Sequence, residues 1–111
     1  MISIVYEIEA GERYSVTMEG HADGGEYGQD VVCAAASMLV YTLAENVRRL
    51  SEGGANKSTR IQLDSGLADI RIAPNNRIKE ETETIFEAIC AGFELLSEHY
   101  PDNVEYDIVM G

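Results

Sequence analysis

A chain of 111 residues, 45% apolar and 25% charged, suits one soluble domain with its own core and excludes a disordered segment. Eight Lys and Arg against twenty Asp and Glu leave a net charge of −12, which repels nucleic acid and anionic membrane and favours basic partners. Two cysteines, Cys33 and Cys90, are too few for the disulfide framework of a small secreted domain.

The opening MISIVYEIE places Ile2, Ile4, Tyr6 and Ile8 in the period of a half-buried strand. It lacks the basic start and apolar block of a signal peptide, so the expected compartment is the cytoplasm, with reduced thiols. A turn at Ala10-Gly11-Glu12 leads into a second alternating run, Tyr14, Val16 and Met18, and the pair reads as an antiparallel hairpin. Gly20 to Gly28 breaks the pattern with glycines at 20, 24, 25 and 28, a density that signals mobility or unusual backbone angles.

From about Asp30, an N-cap residue type, to Ser51 the spacing predicts a helix stopped by Gly53-Gly54. Its apolar block, Val31 to Ala44, is 14 residues long, too short to span a bilayer, and apolar nearly all round, so the helix is expected to be central and buried. Thr59 to Asp64, a Ser65-Gly66 turn and Leu67 to Ala73 form a second hairpin, with Ile61, Leu63, Ile70 and Ile72 expected inward. Between Ile78 and His99 the residues Thr82, Ile85, Phe86, Ile89, Phe93 and Leu96 make a one-sided helical stripe that Pro101 ends. Val104, Tyr106 and Ile108 close the chain as a strand. The order ββαββαβ implies a single α+β domain over residues 1–111, a mostly antiparallel sheet covered by two helices.

Cys33 falls in the predicted first turn of the long helix, where unpaired N–H groups and the helix dipole favour a thiolate and could hold an oxyanion. His21 lies twelve residues earlier, across a glycine-rich loop able to bring it back to the helix start. A thiol, an imidazole and a donor-rich helix end are the parts of acyl transfer. The bland alternative is that a cysteine inside VVCAAA is a small core residue. Cys90, beside Phe86 and Phe93 at the margin of the second stripe, is structural on the same grounds, and His99 suits the negative end of its helix.

The segment GHADGGEYGQDVVCAAAS, Gly20 to Ser37, resembles the signature of the ribosomal-processing cysteine protease family. That signature runs G-H-A, a glycine-rich loop, then G-x-D-I-V-C-A-A-x-S, and Val31 replaces the usual isoleucine. The resemblance implies a catalytic Cys–His dyad on Cys33 and His21, a homodimer, and a glycine-rich loop gating substrate entry through Gly20, Gly24, Gly25 and Gly28. It also implies removal of a short N-terminal extension from large-subunit ribosomal protein twenty-seven, cut just after an aromatic-rich segment, with no metal or organic cofactor. Asp30 and Ser37 belong to the motif as possible supporting residues. Asp30 either caps the helix or orients His21; Ser37 either faces the site or bonds back to a helix carbonyl.

No Lys or Arg occurs between Arg13 and Arg48, while Glu19, Asp23, Glu26 and Asp30 crowd the loop. Such acidity works against a free thiolate but draws in a Lys- and Arg-rich ribosomal protein. Three other readings compete. A non-catalytic, ribosome-associated module could bind basic peptides with the loop as a clamp. A phosphate-binding glycine loop is disfavoured by the lack of nearby cations and of a Walker-type motif. A metal site from His21, Asp23 and Cys33 has no recognised spacing.

Overall fold

The computed structural model describes residues 1–21 and 29–111. The elements follow in the order β1 (Ile2–Glu9), β2 (Arg13–Glu19), α1 (Gln29–Glu52), β3 (Asn56–Asp64), β4 (Leu67–Pro74), α2 (Lys79–His99) and β5 (Val104–Met110). They form one α+β unit, ββαββαβ, with a five-stranded sheet in the spatial order β3-β4-β2-β1-β5. Every neighbouring pair is antiparallel except β1 with β5, which is parallel.

Register sorts the two faces. Ile4 opposes Met18, Tyr6 opposes Val16, and Val16 in turn opposes Ile70, so these side chains share one face. Both helices cover that face, and Ile4, Tyr6, Val16, Ile70 and Ile72 are buried there against Val40, Leu43, Phe86 and Phe93. Full burial of each large aliphatic or aromatic side chain contributes about 1.5–3 kcal/mol. The opposite face is polar. Asp69 lies there beside Arg71 (2.7 Å) and Arg60 (3.4 Å), carrying the charge that an uncovered sheet face tolerates.

Two expectations about burial are corrected. Ile61 and Leu63 share the face of Ile70 but are 37% and 41% exposed, because β3 is the edge strand and the helix layer covers it only in part. Likewise α1 is buried along one side only. Val32, Ala36, Val40, Leu43 and Val47 recur at helical spacing in the core, while Val31, Met38 and Tyr41 point outward and are more than half exposed. Among the described residues, a single layer of two helices leaves each with an outer face turned away from the sheet. By length and composition Val31–Glu52 would suffice to cross a bilayer, yet its buried stripe packs on α2, β3 and β4 as a core helix does.

The helix ends are local in origin. α2 starts after Ile78, whose carbonyl accepts from the Thr82 amide (2.9 Å) and hydroxyl (2.8 Å). It stops at Tyr100, whose amide still reaches Leu96 O at 2.9 Å before Pro101 removes the next donor.

Candidate active site

Cys33 and His21 meet at one cavity of about 210 Å³. α1 contributes Cys33, Ser37 and Tyr41, which follow one another at four-residue steps and so share a face. The opposite wall is the tip of the β3–β4 hairpin, Leu63 to Ala68. His21 stands between them, just past the end of β2.

α1 begins at Gln29, so the expected start near Asp30 moves back by one residue. Asp30 is therefore inside the first turn and not at the N-cap; its side chain lies outside the described residues. Cys33 becomes the fifth helical residue, at the opening of the second turn and not in the first, where it was expected. The unpaired N–H groups belong to the four residues before it. Its side chain is half-buried, packed on the core from the cavity side, and is not in a disulfide.

The backbone of His21 is held from two directions. The Met1 nitrogen donates to His21 O at 2.9 Å, and the Gly20 amide donates to Gly66 O at 2.9 Å. Gly20 has φ +97°, and a Cβ on it would sit 2.2 Å from Met1 O, so this position admits only glycine. The imidazole itself is exposed to the cavity and abuts the hairpin turn. Gly24, Gly25 and Gly28, the other glycines of the expected gate, lie outside the described residues, as does Asp23 of the metal alternative.

Ser37 lines the cavity one turn after Cys33. Thr42 and Ser51 on the same helix bond back to Met38 O (2.7 Å) and Val47 O (2.9 Å); among the described residues Ser37 makes no such bond. Cys90 is not marginal to its stripe but fully inside it, 3% exposed, and burial pushes its thiol from 9.0 up to about 11, less a small opposing effect of the Tyr106 hydroxyl. His99 ends α2 with Nδ1 donating to Leu95 O at 2.8 Å, and does not line the cavity.

The hairpin wall was not anticipated. Ser65-Gly66 is legible as a turn, but nothing local says that it lands against the residue after β2. That follows from β4 pairing with β2 so that Leu67 opposes Glu19. Leu63 and Asp64 enter the site by the same route.

Comparison with known proteins bears on this geometry. The family model described as cysteine protease Prp matches residues 1–105. The ribosomal processing cysteine protease Prp of Staphylococcus aureus is 27% identical over 96 residues, covering 86% of this chain and 87% of the relative. The crystal structure of SMU.848 from Streptococcus mutans superposes with a TM-score of 0.72 at 30% identity, covering 100% of this chain and 96% of that one. The S. aureus protease in complex with a covalently linked product peptide gives a TM-score of 0.71 at 25% identity, covering 97% and 99%.

Proposed function

This chain belongs to the cysteine protease Prp family, and on that premise we propose that it is an endopeptidase using Cys33 as nucleophile and His21 as general base and acid. The observation that carries the reading is that these two residues, one on a helix and one past a strand end, line a single cavity. In the proposed cycle His21 takes the Cys33 proton while sulfur attacks the scissile carbonyl carbon. The first N–H groups of α1 donate to the oxyanion. Collapse breaks the C–N bond, and the imidazolium returns its proton to the departing amine, leaving a thioester. Water, deprotonated by His21, then attacks the thioester carbon, releasing the acid and restoring the thiol. The relative captured with a covalently linked product peptide supports covalent chemistry of this kind.

The proposed substrate is the N-terminal extension of large-subunit ribosomal protein twenty-seven, whose removal serves ribosome assembly. The relatives' name supports ribosomal processing. The apolar walls at Val40, Tyr41 and Leu63 suit an aromatic-rich segment, and a charge of −12 suits a basic protein substrate. The working form is a cytoplasmic homodimer that needs no cofactor and contacts neither nucleic acid nor membrane. The outward stripe of α1 supports self-association.

Cys33→Ala and Cys33→Ser are expected to abolish cleavage of a peptide spanning the aromatic-rich site without loss of fold. His21→Ala is expected to slow it by about 10²–10⁴-fold, the usual contribution of a positioned base. Turnover by Cys33→Ala at the wild-type rate would end the proposal, whereas wild-type protein that binds the peptide without cleaving it would favour the peptide-binding module instead.

A further inference from the structure

Gly66 closes the β3–β4 hairpin with φ +72°, and a Cβ built on it would lie 2.5 Å from His21 Nε2 and 3.2 Å from both Cδ2 and Cε1. Non-bonded carbon and nitrogen do not approach so closely, so the imidazole occupies space that exists only because residue 66 has no side chain. The two residues are also tied through the backbone, since Gly66 O accepts the Gly20 amide at 2.9 Å and Met1 N holds His21 O at 2.9 Å. The main chain on both sides is therefore pinned, while the ring is the exposed end of a side chain that faces the cavity. A side chain at 66 would displace the ring before it displaced the strands.

We propose that Gly66 is a positioning residue for the His21 imidazole, setting where its Nε2 stands in the cavity shared with Cys33. The inference rests on the assignment of His21 as the proton-transfer group. It acts through His21 alone. The ring edge that carries Nε2 is the one facing the hairpin, so pushing it away changes the nitrogen's path to the thiol without removing any catalytic group. A misplacement of about 1 Å at a reacting group commonly costs around a hundredfold.

Positive φ at Gly66 brings a confounding cost, because alanine there strains the backbone whatever its neighbours. The molecule contains its own controls. Gly54 (φ +73°) and Gly11 (φ +64°) share the conformation, but a Cβ on either would meet nothing within 4 Å. Gly66→Ala, Gly54→Ala and Gly11→Ala would be compared in melting temperature, kcat, KM and pH–rate profile on one peptide. The expected result is a similar drop in melting temperature for all three, wild-type kcat in the two controls, and a loss of about a hundredfold in kcat for Gly66→Ala with KM little changed. Its pH–rate profile is expected to take the shape of that of His21→Ala. Adding Gly66→Ala to His21→Ala is expected to cost no further turnover, since the cycle closes when one residue acts only through the other.

A Gly66→Ala enzyme as active as Gly54→Ala, beside a crippled His21→Ala, would overturn the positioning role and leave the proposed protease intact. Full turnover by His21→Ala would instead overturn the assignment of His21 as the proton-transfer group, on which this one rests. If Gly66→Ala does not fold, Gly66→Asn, a residue type more tolerant of positive φ, carries the same Cβ and the same expectation. Failure of both to fold would also overturn the proposal, because it requires the ring and not the fold to yield.

Discussion

Cys90 sits between Phe86 and Phe93 at 3% exposure with its thiol pushed up to about 11, whereas Cys33 is half-buried on a cavity wall. Thiolate is the form that alkylates, so brief iodoacetamide treatment of the native protein is expected to label Cys33 well before Cys90. Peptide mapping by mass spectrometry reads the order directly, and preferential labelling of Cys90 would contradict the assignment. Cys33 and His21 could be singled out because thiol and imidazole are reactive groups and both stand in a long motif, and the fold brings the two to one cavity. Gly66 was legible only as a turn. Its neighbour His21 is 45 positions away in the chain, and the contact depends on which strand β4 chooses to pair with. Leu63 was misjudged for a related reason: its alternation identifies the face correctly, but alternation does not reveal that the strand lies at an edge.

Among the elements, the two hairpins and the two helices follow from patterns within about twenty residues, and Gly53-Gly54 and Pro101 mark real helix ends. Sheet order and the parallel β1–β5 pair are set by contacts between distant segments, and no local period encodes them. The all-round apolar character of α1 looked like deep burial, yet Val31 (62%), Met38 (64%) and Tyr41 (55%) face outward. Such a stripe on an otherwise acidic chain is suited to a second copy, as proposed above. Light scattering is expected to give wild-type protein twice the chain mass and Met38→Glu the single mass. Melting of the variant's isolated chain should change little, since Met38 contributes nothing to the core and surface changes usually stay within about 0.5 kcal/mol. A wild-type protein of single mass would remove the dimer from the reading.

For the molecule as a whole, the buried ionisable groups point to weakness in alkali. Burial raises Cys90 to about 11 and drives Tyr6, Tyr14 and Tyr106 upward as well; Tyr14 also donates to the Glu83 carboxylate. A group whose folded pKa is raised keeps a proton that the unfolded chain gives up, so its stabilisation is full below about pH 9 and lost as pH climbs to 11. Two units for Cys90 amount to about 3 kcal/mol at most. Urea midpoints measured from pH 7 to 11 are expected to fall more steeply in wild type than in Cys90→Ala, whereas parallel curves would show that the thiol plays no part. The parallel pairing of β1 with β5 has a further consequence, for synthesis. β1 gains its hairpin partner β2 almost at once, but its other edge stays open until Val104–Met110 has been made. Throughout translation the nascent chain therefore shows an unpaired strand bearing Ile2, Ile4 and Tyr6, a template for pairing with other chains. A ribosome that stalls within α2 would release a product that already carries His21, Cys33 and the β3–β4 hairpin, with that edge still bare.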